Sequence, residues 1–194
     1  MDIEQRARNI KLVVLDVDGV LTDGSIWTGE NGELVKRFQT RDGLGIRMLQ
    51  SAGIPVAILT GRLSKQTAAR CAELGITSVS QGKQFKTLAW RDILSSHGVS
   101  PDECAYMGDD VPDIPVLCHA GLAAVPADAN PDVARLAHWV SPAKGGNGAV
   151  RSLAELILRA QGLWEGLMAR HYVREDDLDL EKIAADRLSE RGLS

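Results

Sequence analysis

The chain has 194 residues, of which 44% are hydrophobic and 25% are charged, as expected for one globular domain with its own core. Its net charge of −4 and its lack of a long basic run exclude the electrostatic pattern of proteins that bind nucleic acids or anionic membranes. Three widely spaced cysteines and the lack of an apolar signal or membrane segment lead us to expect a cytoplasmic protein with reduced thiols.

Short apolar runs alternate with helical patterns from residue 12 onward. The apolar runs predict buried strands, the last of them at a sheet edge, at 12–15, 56–59, 76–79, 105–107, 122–125 and 138–140. The helical patterns lie between the strands, at 44–52, 64–74, 84–97, 114–118 and 131–137. Capping signals support these boundaries, because Ser64 begins the second predicted helix and Gly75 and Gly98 follow the second and third.

This alternation is typical of a doubly wound, Rossmann-like α/β fold, with a mostly parallel sheet and helices on both faces. Residues 25–38 interrupt it and predict a β-hairpin around Asn31-Gly32, with a type I′ turn. We expect the hairpin to be a flap on a domain spanning 1–172, without a separate cap domain. Residues 173–194 are highly charged and form a C-terminal tail, either solvated or folded as a short amphipathic helix.

Two carboxylates follow the first predicted strand directly, in Asp16-Val17-Asp18-Gly19. A carboxylate at a strand end is costly to desolvate without a partner, so a pair of them favours a cation. Oxygen ligands suit Mg²⁺, which keeps several waters and takes few carboxylates together with a substrate phosphate. Taken alone, the pattern fits a metal-binding pair and a loop with turn-capping aspartates equally well.

A second acidic group, Asp109, Asp110 and Asp113, follows the predicted strand 105–107. The carboxyl ends of parallel strands share one edge of a sheet, where such sheets bind ligands. We therefore expect both acidic groups to face one crevice, which strengthens the interpretation as a metal site.

Donors suited to phosphate oxygens accompany these carboxylates. Thr60-Gly61-Arg62 follows the predicted strand 56–59, and Lys86 lies near the start of the third predicted helix. They supply a hydroxyl, a backbone N–H, a guanidinium and an ammonium group. The constellation predicts a site that binds a phosphate together with a metal ion.

In their order along the chain, these residues resemble the four motifs of the haloacid dehalogenase-like phosphatase superfamily. The resemblance extends over residues 11–162 and includes further segments at 16–24, 31–32, 41–46, 60–62, 81–82 and 145–151. The complete set is similar to one subfamily, the 3-deoxy-D-manno-octulosonate 8-phosphate phosphatases, which act in building the inner sugar of lipopolysaccharide.

The resemblance implies a phosphatase in which Asp16 attacks phosphorus and forms an aspartyl-phosphate. It implies that Asp18 protonates the leaving sugar oxygen and then activates the hydrolytic water. It also implies a Mg²⁺ ion held by the Asp16 carboxylate, the Asp18 carbonyl and Asp109, with Asp110 and Asp113 in support.

Thr60, Gly61 and Lys86 are then expected to neutralise the phosphate oxygens, and Arg62 is the candidate for the carboxylate or phosphate of the substrate. Backbone contacts with the sugar are expected from Arg41, Asp42 and Gly43. The loop 145–148 either brings backbone to a ligand or only leads into a helix.

The resembling subfamily is tetrameric through the hairpin, so we expect a homotetramer acting on a small sugar-acid phosphate, without nucleic acid or membrane. Packing on the protein's own core is the alternative for the apolar side chains of the hairpin, Ile26, Trp27, Leu34, Val35 and Phe38.

Two other functions stay open at this point. A phosphatase for a nine-carbon keto-deoxy sugar acid 9-phosphate would use the same motifs. A receiver module of signalling proteins also phosphorylates an Asp on a doubly wound sheet, although the acidic pair on the first strand and the late acidic group oppose it.

Overall fold

A six-stranded sheet forms the centre of the protein, which the computed structural model describes over residues 1–30, 32–83, 85–172 and 180–191. The strands are β1 (Leu12–Leu15), β2 (Trp27–Gly29), β3 (Gly32–Val35), β4 (Val56–Leu59), β5 (Ser78–Ser80), β6 (Cys104–Met107), β7 (Leu122–Val125) and β8 (Trp139–Val140). The helices are α1 (Ile3–Arg8), α2 (Thr40–Ser51), α3 (Lys65–Glu73), α4 (Lys86–His97), α5 (Ile114–Leu117), α6 (Pro131–Ala134), α7 (Ala149–Ala160), α8 (Trp164–Leu167) and α9 (Leu180–Glu190). Short 3₁₀ turns cover Pro101–Glu103 and Val111–Asp113, and a π-helical turn covers Met168–Tyr172.

The strands of the central sheet lie in the order β5–β4–β1–β6–β7–β8, and every neighbouring pair is parallel. The chain runs outward from β1 through β4 to β5 and then returns to place β6 on the other side of β1. This reversal opens a crevice beyond the carboxyl ends of β1 and β6, where sheets of this kind bind ligands. The predicted doubly wound α/β fold is confirmed.

The alternation of side chains along β1 divides the core into two layers. Leu12 and Val14 face α4, α5 and α6, whereas Val13 and Leu15 face α1, α2, α3 and α7. Each of these four side chains is 0% exposed. Since burying a large apolar side chain contributes about 1.5–3 kcal/mol, β1 is anchored on both faces, and so is the loop that follows it.

Several element boundaries differ from the predictions. Helix α2 begins at Thr40 instead of residue 44, so that Asp42 and Gly43 lie within its first turns. Strand β5 covers Ser78–Ser80 instead of the predicted 76–79, and α6 ends at Ala134 instead of residue 137. Helix α4 begins at Lys86, and its predicted start at Gln84 lies outside the described residues.

Two helices, α1 and α8, were not predicted from the sequence, and α7 was predicted only as the helix that the loop 145–148 would enter in one of its two expected roles. In α1 the side chain of Asp2 accepts a hydrogen bond from the Gln5 N–H at 2.7 Å and thereby caps the helix. Helix α7 buries one apolar face, including Val150, Leu153 and Ile157, in the core layer on the side of the sheet that α2 also covers.

The predicted hairpin is formed by β2 and β3, which pair antiparallel. Gly32 adopts a φ of 96°, but Asn31 lies outside the described residues, so the type of the turn stays a prediction. The apolar side chains of the hairpin divide into two groups. Phe38 packs against the core, whereas four are exposed, namely Ile26, Trp27, Leu34 and Val35.

The C-terminal segment contains α9, whose described side chains, from residue 182 onward, are exposed. The remainder of the predicted tail, at 173–179 and 192–194, lies outside the described residues. Within the part of the chain that is described, no helix combines the length and apolar character that a membrane span requires.

Candidate functional site

A cleft of about 300 Å³ lies beyond the carboxyl ends of β1, β4 and β6. It is lined by residues that follow these three strands and by the first residue of α4: Asp16, Asp18, Gly24, Thr60, Gly61, Arg62, Lys86, Asp109, Asp110, Pro112 and Asp113. These loops meet because neighbouring parallel strands end at the same edge, where the Asp16 N–H donates to the Met107 carbonyl at 3.0 Å. The structure thus brings most of the sequence-predicted site residues together.

Asp16 and Lys86 form the buried centre of the cleft. Lys86 Nζ lies 3.0 Å from Asp16 Oδ1 and 2.6 Å from Asp113 Oδ1. Burial alone would lower the pKa of Lys86, but the negative charges of Asp16 and Asp113 outweigh it and raise this pKa. Lys86 is therefore a fixed positive charge beside Asp16.

Asp113 and Asp110 shape the loop after β6. The Asp113 Oδ1 accepts hydrogen bonds from Lys86 Nζ and from the Tyr106 hydroxyl at 2.5 Å. Its Oδ2 accepts from the backbone N–H groups of Asp109 at 2.9 Å and Asp110 at 3.2 Å. The Asp110 carboxylate accepts from the Val111 N–H at 2.8 Å and caps the 3₁₀ turn. Both carboxylates therefore hold the loop in place.

Asp109 has a carboxylate with room for a further ligand. Among the residues that the structure describes, no donor forms a hydrogen bond with its side-chain oxygens. The carboxylate lies against Gly19, where a Cβ would overlap Asp109 Oδ2. Gly19 also has a φ of 86°, a conformation that favours glycine. Both the backbone conformation and the contact with Asp109 therefore require glycine at this position.

Three carboxylates converge closely enough to bind one cation. Asp16, Asp109 and Asp113 each place an oxygen within 4.8 Å of the others. Burial and the neighbouring carboxylates raise the pKa of Asp109 to about 8. Burial and the charge of Asp113 raise the pKa of Asp16 to about 6, although Lys86 opposes this shift. Desolvation and mutual repulsion therefore destabilise the cluster when its carboxylates are ionised.

A divalent cation fits this arrangement. Asp16 Oδ1 is buried and, although Lys86 lies at ion-pair distance, it receives no hydrogen bond of acceptable geometry from the described residues. A cation would give this oxygen a partner and relieve the repulsion, and a donor set of oxygens suits Mg²⁺. Since both oxygens of Asp113 already accept two hydrogen bonds, Asp16 and Asp109 are the carboxylates available as ligands.

The Asp18 carboxylate is paired with two cations. Lys36 Nζ forms an ion pair with Asp18 Oδ1, and Arg62 Nε lies 3.7 Å from Asp18 Oδ2. Lys36 Nζ also lies 3.2 Å from Glu33 Oε2 in β3. The Arg62 side chain is 47% exposed and lies at the open side of the cleft. The hairpin is thereby connected to the loop after β1.

Asp42 and Gly43 lie outside the cleft. The Asp42 side chain is buried and accepts hydrogen bonds from the N–H groups of Gly148 at 3.1 Å and Arg151 at 2.9 Å. Gly43 lines a separate cavity between α2 and α3. The structure does not bring these two residues to the other predicted site residues, because Asp42 instead caps the start of α7.

The glycine-rich loop before α7 packs against the loop after β1. The Gly146 N–H donates to the Val20 carbonyl at 2.9 Å, and a Cβ at Gly145 would overlap the Gly19 carbonyl oxygen. Gly148 then forms the N-cap of α7. The loop therefore forms the entry to α7 and also braces the loop that carries Asp16 and Asp18, while a contact between its backbone and a ligand stays a prediction.

Sequence reasoning missed three residues of the site, namely Lys36, Glu33 and Tyr106. Tyr106 carried a usable signal, because a hydroxyl within an otherwise apolar buried strand requires a buried partner. Lys36 and Glu33 carry opposite charges three positions apart, but their proximity to Asp18 depends on how the hairpin folds over the sheet edge.

Comparison with known proteins shows a family match. The profile of the haloacid dehalogenase-like hydrolases matches residues 36–121, a range that contains Thr60, Lys86 and Asp109. The chain is 47% identical to the 3-deoxy-D-manno-octulosonate 8-phosphate phosphatase KdsC of Escherichia coli K12 over 161 residues, or 83% of this chain and 86% of that protein.

Solved structures agree with this match. The 3-deoxy-D-manno-octulosonate 8-phosphate phosphatase of Yersinia pestis has a TM-score of 0.83 and 47% identity, with 85% of this chain and 89% of that chain covered. The corresponding phosphatase of Moraxella catarrhalis, solved with magnesium, phosphate and KDO, has a TM-score of 0.83 and 38% identity, with 86% and 96% covered.

Proposed function

The chain belongs to the 3-deoxy-D-manno-octulosonate 8-phosphate phosphatase family of the haloacid dehalogenase-like hydrolases, and we infer that it hydrolyses this eight-carbon sugar-acid phosphate to the free sugar acid and phosphate. The observation that carries the inference is the meeting of Asp16, Asp109 and Lys86 in one cleft. Such a site offers a nucleophile, ligands for a divalent cation and a fixed positive charge, which together suit phosphoryl transfer. This activity would supply a sugar for lipopolysaccharide.

Asp16 is the nucleophile in this proposal. Its carboxylate attacks phosphorus in line as the ester P–O bond breaks, and an aspartyl-phosphate forms. Its burial and the lack of a hydrogen-bond donor on Oδ1 within the described residues support this role, because Oδ1 can then bind the cation while Oδ2 attacks phosphorus. Water then cleaves the aspartyl-phosphate, which restores the carboxylate.

Asp18 is the general acid and base. It donates a proton to the leaving sugar oxygen in the first step and removes a proton from water in the second. Its carboxylate lines the cleft two residues after Asp16, which supports this division of roles. Both steps use the same group in opposite directions, so Asp18 returns to its starting state.

The remaining residues of the cleft neutralise the negative charge of the substrate. Lys86, Thr60 and Gly61 line the cleft beside Asp16 and present donors to the phosphate oxygens. Arg62 lies at the open side and suits the carboxylate of the sugar acid.

The metal ion of this proposal is Mg²⁺, with ligands from the Asp16 and Asp109 carboxylates and the Asp18 carbonyl. When bound, it offsets the repulsion between the anionic nucleophile and the anionic phosphate. Asp113 and Asp110 support it indirectly, through the loop that positions Asp109.

The decisive experiment is a panel of sugar phosphates assayed with Mg²⁺ and with a chelator. We expect the highest catalytic efficiency with 3-deoxy-D-manno-octulosonate 8-phosphate and loss of turnover with the chelator. Asp16→Asn should abolish turnover, whereas Asp92→Asn, on the exposed side of α4, should not change it. Higher efficiency with a nine-carbon 9-phosphate would favour the alternative substrate, and full activity of Asp16→Asn would refute the mechanism. A single phosphorylation event without turnover would favour a receiver module, which the family membership opposes.

We also propose that the protein acts as a cytoplasmic homotetramer. The exposed apolar side chains of Trp27, Leu34 and Val35 support association through the hairpin, since they form an apolar surface on one short element. The odd number and wide spacing of the cysteines support a reducing compartment. The tetramer can be tested by sedimentation of the full chain, where a monomer at all concentrations would refute it, and the proposed domain boundary near residue 172 can be tested by limited proteolysis.

A further inference from the structure

A lysine at the base of the hairpin is almost completely buried. Lys36 directly follows β3, and its side chain is 1% exposed. Its ammonium forms an ion pair with Asp18 Oδ1 from the loop after β1. An ammonium without a partner would be very costly to bury, so this contact contributes substantially to the local arrangement.

The second partner of Lys36 comes from the hairpin itself. Glu33 Oε2 lies 3.2 Å from Lys36 Nζ, and its side chain is 11% exposed. Burial would raise the pKa of Glu33, but the hydrogen bond from Ser64 and the charges of Lys36 and Arg62 lower it overall. Lys36 therefore lies between two carboxylates, one from the hairpin and one from the cleft.

The hairpin is attached firmly enough to hold this ammonium in place. Gln66 Nε2, in α3, donates to the backbone carbonyls of Glu33 and Leu34, each at 3.0 Å. Ser64, the N-cap of α3, donates to the Glu33 carboxylate at 2.5 Å. Since α3 packs on the core, these hydrogen bonds fix the base of the hairpin relative to the core.

We propose that Lys36 is a positioning residue that holds the Asp18 carboxyl group in the place from which it serves the leaving oxygen. The inference rests on the proposed function, in which Asp18 is the general acid and base. Asp18 follows the buried Val17 in the loop after β1. Within the described residues, its carboxylate is held by the ion pairs with Lys36 and Arg62. Loss of Lys36 would leave only the longer contact with the exposed Arg62.

The test uses the difference between two leaving groups. The alkoxide of a sugar must be protonated as it leaves, whereas p-nitrophenolate leaves without protonation. A misplaced Asp18 therefore slows formation of the aspartyl-phosphate more for the first substrate than for the second. The value of kcat/KM isolates this step, because hydrolysis of the aspartyl-phosphate, in which Asp18 serves both substrates alike, follows the departure of the leaving group. We expect Lys36→Met to lower kcat/KM for the sugar phosphate by about 10–100-fold, within the roughly 10²–10⁴-fold range of general acid–base catalysis, and kcat/KM for p-nitrophenyl phosphate by less than about threefold.

KM for the sugar phosphate should stay close to its wild-type value, and Lys36→Arg should recover most of kcat/KM because it restores a cation. Lys65→Met is the matched control, since Lys65 is an exposed lysine at the start of α3. It should leave both substrates unaffected. If Lys36→Met does not fold, Lys36→Gln removes the charge with less disturbance and carries the same comparison.

Equal losses of kcat/KM for both substrates, or a raised KM with an unchanged kcat, would overturn the positioning role. The first result would indicate a general structural effect, and the second a direct contact with substrate. Wild-type turnover tests the proposed function separately. If the wild type does not hydrolyse the octulosonate phosphate, that function fails, and the comparison for Lys36 proceeds with any alkyl phosphate that the wild type hydrolyses.

Discussion

Replacement of Asp42 by alanine tests the role that the structure gives this residue. The Asp42 carboxylate accepts hydrogen bonds from the backbone N–H groups of Gly148 and Arg151 at the start of α7. Alanine would leave both donors without this acceptor in a region where Asp42 itself is 1% exposed. The expected effect is a loss of stability, with the loop before α7 the first segment to be disturbed.

The magnitude follows from the two donors. An unsatisfied buried N–H costs about 1–3 kcal/mol, so two of them would cost about 2–6 kcal/mol. Burial raises the pKa of Asp42, which means that the buried carboxylate itself carries a desolvation cost that alanine removes. The net loss is therefore expected near the lower part of this range, at about 2–4 kcal/mol.

Thermal unfolding followed by circular dichroism measures this loss. For a chain of this size about 1 kcal/mol corresponds to about 2–4 °C, so the midpoint of Asp42→Ala should fall by about 5–15 °C. Asp42→Asn keeps the size and one acceptor oxygen, and should lose about half as much. Both variants should keep KM for the sugar phosphate, because Asp42 lies outside the cleft.

The opposite outcome would refute the reasoning. If Asp42→Ala unfolds at the wild-type temperature but shows a raised KM, the Asp42 side chain contacts the substrate, which goes beyond the backbone contact that the sequence led us to expect. In that case the hydrogen bonds to Gly148 and Arg151 do not determine how α7 begins.

Two further predictions concern the cation site. The pKa values of Asp16 (about 6) and Asp109 (about 8) lie above the ordinary value, so their contribution to the stability of the metal-free protein is present in acid and lost as pH rises through these values. The rise in unfolding midpoint on adding Mg²⁺ should therefore grow from pH about 6 to pH about 8, and a constant rise would contradict this. Gly19→Ala should displace Asp109 and weaken Mg²⁺ binding, measured by calorimetry, by about 10–100-fold. Gly53→Ala is the control, since Gly53 has a similar φ of 83° in open space, and equal weakening in both variants would contradict the role of Gly19.

The central part of the site could be predicted because it follows from local pattern alone. Asp16, Thr60 and Asp109 each come after a short apolar run, and a buried parallel strand is the simplest structure for such a run. Once the strands are parallel, their ends must share an edge. The convergence of these residues therefore needed no knowledge of packing.

The start of α2 could not be predicted in the same way. Gly43 and Gly45 lie in its first two turns, and glycine disfavours a helix by about 1 kcal/mol relative to alanine. A Cβ at Gly45 would come within 3.0 Å of the Arg151 Cα, so α2 and α7 approach each other closely at this glycine. This packing stabilises the start of a helix that the propensity of glycine disfavours. Tertiary packing decided this boundary.

The supporting contacts of the site were equally hidden from the sequence. Asp42 and Gly148 are separated by 106 positions, and Lys36 and Asp18 meet only because the hairpin folds back over the strand ends. Such pairs depend on the path of the chain between them. The residue types indicated charge, but only the fold shows which charges are paired.

The brace formed by Gly145 and Gly146 on the loop after β1 has a consequence for how the protein is made. The loop that carries Asp16 is synthesised long before these glycines, which follow it by well over 100 positions. At roughly 5–20 residues per second this interval lasts on the order of ten seconds, during which the loop carrying Asp16 has no brace. We expect nascent chains that end before residue 145 to be inactive even when their sheet has begun to form.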